Sequence, residues 1–140
     1  MTIHDYLEGC ILLLTVSSVV ERFQVVKKRE IETDGYLRVR AIQVEESLLE
    51  VSIYCQHVED AVRLTGYRFH WQGKYGLLIK RWDNAKHHPE LKTFPNHVHL
   101  GNDKDVKESA PIDLPEVLEV LESEMKVQGF DTTQSFPAKR

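Results

Sequence analysis

The stretch between residues 81 and 100 carries an unusual density of side chains that can bind a metal ion or transfer a proton. Four of the chain's seven histidines lie in it, beside Trp82, Asp83 and two prolines. The four are His87, His88, His97 and His99. Three interpretations fit such a cluster: a metal site, an acid–base catalytic site, or a rigid loop whose histidines serve packing.

A metal site needs at least two neutral imidazoles on a rigid frame. His97 and His99 are two residues apart, so on an extended segment both side chains point the same way. One histidine of the pair at 87–88, Asp83 or His70 could complete a ligand set. No spacing such as HExxH is present, however, and no cysteine pair joins the cluster. We therefore expect no metal and no cofactor, with a metal site as the alternative.

Proton transfer is the second interpretation. Cleavage of an RNA phosphodiester requires a base for the 2′-hydroxyl, an acid for the leaving 5′-oxygen and cations for the developing charge. Histidine, arginine and tyrosine side chains can supply all of these without a metal. The cluster is therefore also compatible with a metal-independent ribonuclease.

The third interpretation is a structural loop that crosses a sheet. Pro89 and Pro95 restrict its backbone, and Asp83–Asn84 is typical of a turn. Asp83, Asn84 and the histidines would then satisfy backbone groups. This explains the prolines better than it explains four imidazoles.

Composition limits the class of protein. A chain of 140 residues with 41% apolar and 29% charged residues is typical of one globular domain. The net charge of −4 argues against a uniformly basic surface for nucleic acid, but it allows a local basic patch. Cys10 and Cys55 lie in apolar surroundings outside any CxxC pair, which predicts buried thiols in a reducing compartment.

The N-terminal segment predicts a cytoplasmic protein. Its apolar run at residues 11–16 is too short to span a bilayer. Asp5 and Glu8 precede that run, where a signal peptide has basic residues.

The elements that must position the histidines are mostly strands. A 3.6-residue apolar period predicts a helix over 2–18, and alternation predicts the strands that follow. These strands are 20–32, 36–44, 47–56, 61–71 and 77–82, with a further short one at HVHLG. Asp34–Gly35 is predicted as a hairpin turn. A last helix begins between Pro111 and Pro115 and ends at Gly129.

The predicted fold class is α+β. Short connections between strands give a single antiparallel β-meander of five to six strands, with the N- and C-terminal helices packed on one face. We expect one domain over residues 1–126 and a flexible tail over 127–140.

Alternation assigns the side chains of this meander to two faces. One face is apolar and can take both helices. The other carries Arg38, Arg40, Glu50, Ser52, Tyr54, Leu64, Arg68 and His70, with Lys80 or Arg81 added from the fifth strand. Arginines beside histidine, tyrosine and glutamate suit an anionic ligand. The alternative is a solvated face with cross-strand ion pairs.

The segment GYRFHWQGKYGLLIKRWDNAKHHPELKTFPNHVHLG resembles the core pattern of the TumE-like family. In that family a strand of the form YRYHWQ precedes R-W/Y-D-N-A-x-H-H-P-E-L and T-F-P-H-H-x-H. DGYLRVRAIQVEESLLEVSIY resembles the upstream strands, so the likeness covers most of residues 20–125. Asn96 stands where histidine is common in the family.

The resemblance implies a toxin of a bacterial or archaeal toxin–antitoxin pair, with a RelE-like architecture and ribonuclease activity. Its partners would be RNA and a cognate antitoxin, which in such pairs often carries a helix-turn-helix. The motif residues present are Tyr67, Arg68, His70, Trp71, Arg81, Trp82, Asp83, Asn84, His87, His88, Pro89, Glu90, Thr93, Phe94, Pro95, His97 and His99.

Roles for these residues follow from the resemblance and from their chemistry. We expect proton transfer by His70, His88, His97 and His99. Arg68 and Arg81 would hold the scissile phosphate, with Arg38, Arg40 and Tyr54 as further substrate contacts. Asp83 would orient a histidine or cap the loop. We expect the two tryptophans in the core rather than under RNA bases.

Three functions remain open from the sequence. The first is a metal-independent endoribonuclease toxin, the second a metal-binding hydrolase, and the third a non-catalytic protein that binds RNA or an antitoxin. Acidic residues dominate between Asp103 and Glu124, opposite in charge to the predicted arginine face. That division favours a partner of matching polarity or a homo-oligomer. The short apolar run at residues 11–16 predicts no membrane partner.

Overall fold

The predicted helix, strands and final helix are present in the predicted order, with one additional strand. The structure is a computed structural model that describes residues 1–129. Its elements are α1 Ile3–Val16, β1 Val20–Glu30, β2 Asp34–Gln43, β3 Leu48–Val58, β4 Ala61–Gln72, β5 Leu78–Asp83, β6 His97–Leu100, β7 Val106–Glu108 and α2 Leu114–Val127. The predicted tail lies outside the described residues from 130 onward, and α2 extends through residue 127.

The strands form one antiparallel sheet of seven strands in sequence order, β1 to β7. This confirms the α+β class and the meander, with more strands than the five to six predicted. The short strand at HVHLG is confirmed as β6. Strand β7 was missed because VKE is too short to show alternation.

Both helices pack on one face of the sheet and share one apolar core. Thr2 and Asp5 form a capping box that starts α1, and Asp113 caps α2. The hydroxyl of Tyr6 donates to Asp113 Oδ2 at 2.8 Å and joins the two helix N-terminal regions. On the same side, Lys80 forms an ion pair with Glu124 of α2. The opposite face of the sheet, which we call the open face, is therefore left to the polar side chains.

The predicted hairpin turn at Asp34–Gly35 is wrong. Both residues belong to β2, and residues 31–33 form the turn. Gly35 is needed for a different reason, because a Cβ atom there would lie 2.6 Å from Cγ2 of Ile3 and 3.0 Å from Cδ1 of Leu7. The glycine therefore lets α1 approach the sheet closely.

The alternation of β4 is interrupted at Thr65. Tyr54 is paired with Gly66, whereas the next residue, Cys55, is paired with Leu64. Thr65 is the extra residue of a β-bulge. Leu64 therefore packs against the core, and its predicted place on the polar face is wrong.

The two cysteines behave as predicted. Cys10 and Cys55 are both buried and free. Burial raises the pKa of the Cys10 thiol to about 12, so this side chain acts as a small apolar group.

Gly35→Ala is expected to lower the free energy of unfolding by about 1–3 kcal/mol, because the added Cβ displaces α1 from the sheet. Gly9→Ala is the matched control on α1, since a Cβ at Gly9 meets nothing within 4 Å. That control should raise the free energy of unfolding by up to about 1 kcal/mol through helix propensity. Urea denaturation of both variants measures the difference, and equal changes would contradict the packing role of Gly35.

Candidate active site

Two rows of polar side chains cross the open face, because paired residues of neighbouring strands point to the same side. The first row consists of Arg40, Glu50, His70, Arg81 and His99. The second row consists of Arg38, Ser52, Arg68, Asp83 and His97. The rows run from exposed arginines on β2 to buried histidines on β6. They bring together most of the predicted site residues.

Of the two candidates on β5, Arg81 is the one that reaches the open face. It lies between His70 and His99 in the first row. Lys80 points to the helices, where it contacts Glu124. Arg81 is therefore the β5 residue that could bind a phosphate on the open face.

Asp83, the last residue of β5, is a buried carboxylate next to His97 in the second row. Its Oδ1 atom lies 2.9 Å from Nε2 of His97 and accepts the backbone N–H of Ala85 at 3.0 Å. Its Oδ2 atom lies 3.6 Å from Nε2 of His99 and 3.5 Å from Nε of Arg81. Asp83 thus makes both kinds of contact that the sequence suggested, one to a histidine and one to the loop backbone.

The loop over residues 84–96 brings His88 to the two histidines of β6. The loop is anchored by Asn96, whose Oδ1 atom accepts the hydroxyl of Tyr67 at 2.8 Å. Thr93 Oγ1 donates to the carbonyl of Asn96 at 2.7 Å, and the Phe94–Pro95 peptide bond is cis. Asn96 therefore serves loop geometry at the position where the resembling family commonly has histidine.

His88, His97 and His99 lie together, and the last two contact Asp83. We call these four residues the histidine cluster. The ring centre of His97 is 5.0 Å from that of His88 and 5.0 Å from that of His99. The centres of His88 and His99 are 5.9 Å apart. One ring nitrogen from each histidine lies within 4.8 Å of the others, so the three could hold a metal ion.

Oxygen atoms outside the cluster fix the orientation of its imidazoles. Nδ1 of His97 is 2.9 Å from the carbonyl oxygen of Pro95, and Nδ1 of His99 is 3.0 Å from that of Asp103. A carbonyl oxygen only accepts, so each Nδ1 carries the hydrogen and donates it. The Nε2 atoms are left to face Asp83.

Burial and nearby cations shape the electrostatics of the first row. Burial, followed by the Arg81 guanidinium, lowers the pKa of His99. The pKa of His70 is also lowered, chiefly by burial. Arg81 is itself held by Asp103, whose Oδ1 atom is 2.7 Å from Nη2, and this contact lowers the pKa of Asp103. Both imidazoles are thus biased towards the neutral form, which accepts protons.

The remaining predicted residues lie outside the histidine cluster. Arg38, Arg40 and Arg68 lie on the rows and are exposed. Tyr54 lies on the same face of the sheet, just outside both rows. A cleft of about 420 Å³ connects the two regions. It is lined by Tyr67, Arg68, Arg81, Asp83, Asn84, Ala85, His87 and His99. An anion in this cleft would contact the two arginines that line it and the side of the histidine cluster formed by Asp83 and His99.

Asp103 is a site residue that the sequence did not reveal. It lies in the turn between β6 and β7, where no periodic pattern marks it. Trp71 and Trp82 are core residues, as predicted, and Nε1 of Trp71 donates to Ser47 Oγ at 2.9 Å.

Asp83→Ala is expected to lower the free energy of unfolding by about 3 kcal/mol or more, because it removes the buried carboxylate that Arg81 and His97 contact. Asp103→Ala is the matched control, since it removes the other carboxylate of Arg81. The side chain of Asp103 is 75% exposed, so its loss should change unfolding little. Urea denaturation compares the two, and similar losses would contradict the special role of the buried carboxylate.

The family comparison covers the whole site. The model of the toxin TumE family matches residues 10–126, which include both rows and the histidine cluster. No curated protein and no solved structure matched the chain, so the RelE-like architecture stays a prediction. Within residues 1–129 no helix has the length and apolar character needed to cross a membrane. The chain belongs to the TumE toxin family, the toxin component of toxin–antitoxin systems.

Proposed function

We propose that this toxin is an endoribonuclease whose active site is the buried end of the two rows on the open face. The observation that carries the proposal is the register of β2 to β6. It places exposed arginines, a partly buried histidine and the histidine cluster in line on one surface. RNA suits such a surface, because it carries a chain of phosphates with a reactive 2′-hydroxyl beside each one.

Substrate binding falls to the arginines. Arg38, Arg40 and Arg68 are exposed, and guanidinium groups bind phosphate through two parallel hydrogen bonds. Arg40 has a 4.0 Å contact to Glu50, which is long enough for a phosphate to compete with. Arg81 is more buried, and lines the cleft next to His99. The exposed arginines then guide the strand, and Arg81 neutralises the phosphate that reacts.

The proposed reaction is attack of the 2′-oxygen on the adjacent phosphorus. His70 accepts the proton of the 2′-hydroxyl as the O2′–P bond forms. The P–O5′ bond breaks, which gives a 2′,3′-cyclic phosphate and a 5′-hydroxyl. The leaving 5′-oxygen takes its proton from a protonated imidazole of the histidine cluster, or from water where the cluster supplies only positive charge. Arg68 Nη2 lies 3.5 Å from Nδ1 of His70, so base and phosphate ligand are adjacent.

Membership of the toxin family implies an antitoxin partner. A helix-turn-helix in that antitoxin, self-association of the toxin and a cytoplasmic location stay predictions. The exposed glutamates of α2 lie on the helix side of the sheet, away from the arginines. A non-catalytic role, in which the same arginines only bind RNA, is the second candidate, and cleavage assays separate it from the first.

Arg68→Gln is expected to slow cleavage of labelled RNA by at least about tenfold, because a lost charge-assisted hydrogen bond costs about 1.5 kcal/mol or more. Arg63→Gln is the matched control, an exposed arginine on the same strand but outside both rows. It should cleave like the wild type. RNA that binds to the wild type without being cut would instead support the non-catalytic role.

The pH dependence of the cleavage rate should follow the protonation state of His70. A base must be neutral to accept a proton, so the rate rises with pH through the pKa of His70. Burial, with help from Arg68 and Arg81, lowers that pKa below its ordinary value of 6.5, and the hydrogen bond to Gln72 and the carboxylate of Glu50 oppose the shift. Asp103 is a further charge nearby. We therefore expect a rising limb with its midpoint below pH 6.5.

His70→Gln should remove this limb and most of the activity, while His57→Gln, an exposed histidine on β3, should retain both. The rate is measured between pH 5 and 8 on one RNA substrate. A limb that persists in His70→Gln would assign the base to another group.

A further inference from the structure

We propose that the histidine cluster binds a divalent transition-metal ion of the zinc class, with His88, His97 and His99 as ligands and the carboxylate of Asp83 beside them. The ion would stabilise the negative charge that develops on the leaving 5′-oxygen in the proposed cleavage. That role rests on the proposed function, whereas binding itself is argued from the geometry of the three imidazoles and the neighbouring carboxylate. Nothing in the family match assigns a metal to these residues.

The first argument is that all three Nδ1 atoms are occupied by oxygen acceptors. His97 and His99 donate to backbone carbonyls, and Nδ1 of His88 lies 3.1 Å from Oε1 of Glu90. Histidines that bind metals through Nε2 almost always donate Nδ1–H to a carbonyl or carboxylate in this way. The protein therefore holds three imidazoles in the tautomer whose Nε2 atom has a lone pair.

The second argument is that these lone pairs meet a carboxylate. With Nδ1 protonated, Nε2 of neutral His97 and Oδ1 of Asp83 are both acceptors, yet they lie 2.9 Å apart. Nε2 of His99 lies 3.6 Å from the other oxygen. Two buried acceptors at such a distance repel each other unless a positive charge lies between them. The cluster needs a cation at this point.

A proton on His97 is the simplest cation, and it would make a buried ion pair with Asp83. One proton bridges one nitrogen–oxygen pair, however. It leaves unexplained why His88 and His99 converge on the same place with their own Nδ1 atoms satisfied elsewhere. A single metal ion accounts for the convergence of the three imidazoles, and the carboxylate of Asp83 beside it would balance its charge.

The third argument is the spacing of the rings. With Zn–N bonds of about 2.0–2.1 Å, three imidazoles at tetrahedral angles have ring centres about 5.2 Å apart. The observed separations are 5.0, 5.0 and 5.9 Å. The rings are inclined to one another by 69–76°, so they surround a point and do not stack.

The ligand types select the metal. Three imidazole nitrogens suit Zn²⁺, Co²⁺ or Ni²⁺, whereas Mg²⁺ and Ca²⁺ prefer oxygen ligands throughout. Asp83 and His99 line the open cleft, so a bound ion would be reachable from solvent. The inference departs from the metal-free expectation drawn from the sequence. That expectation depended on spacing along the chain, and here the ligands come from a loop and from the strand that follows it.

Zn²⁺ titrated calorimetrically into EDTA-stripped full-length chain tests the proposal. We expect saturable binding of one ion per chain and a higher melting temperature of the loaded protein. His88→Ala should weaken binding by at least about tenfold. His88 lies in the loop and is partly exposed, so the variant should fold, which circular dichroism verifies.

His87→Ala is the matched control, because His87 is the adjacent histidine, is exposed and lies outside the cluster. It should bind Zn²⁺ like the wild type. Visible absorption of the Co²⁺ form gives a second readout, with ligand-field bands that change in His88→Ala and persist in His87→Ala. Absence of saturable binding in the wild type, or equal affinities of the two variants, would overturn the proposal.

The same preparation separates this proposal from the proposed function. Zinc binding without RNA cleavage would remove the ribonuclease and leave the metal site standing. Cleavage that continues in excess EDTA, by a chain that binds no zinc, would overturn the metal site and leave the ribonuclease standing.

Discussion

Alternation along paired strands is the constraint on which the site depends. Arg81 and Asp83 flank Trp82 on β5, and His97 and His99 flank Val98 on β6, so each functional pair is separated by one core residue. Burial of Trp82 and Val98 against the helices therefore fixes the register that points the polar side chains outward. A slip of one residue would expose the indole and force the carboxylate and imidazoles into the core. Hydrophobic packing on one side of the sheet thus determines the chemistry on the other.

Much of the fold could be predicted from the sequence because its helices and strands are determined by patterns within short segments. Five strands, both helices and the two-faced character follow from periodicity within single segments. Features that depend on contacts between distant segments could not be predicted. Gly35 serves the approach of α1, and Thr65 is a bulge that changes which way Leu64 points. In both cases the conformation depends on packing or pairing with a second element, and the sequence of a single segment does not contain that information.

The same distinction applies to the site. His97 and His99 could be paired from their spacing on one strand, and the arginines could be placed on one face by alternation. The gathering of His88 with them depends on a loop whose path is fixed by the contact of Asn96 with Tyr67. Asp103 contributes through a turn carbonyl and a carboxylate that no pattern marks. Residue types therefore identified the candidates, and the loop and turn determined which of them meet.

The sequence-ordered sheet has a consequence for how the toxin is made. Each strand pairs only with its neighbours along the chain, so folding requires few long-range closures and can follow synthesis from the N-terminus. The arginines of β2 and β4 are then in place early, but the cluster is completed only when β6 has emerged from the ribosome and paired with β5. A nascent chain consequently passes through a stage in which the exposed arginines already share one face and the histidine cluster has not yet formed.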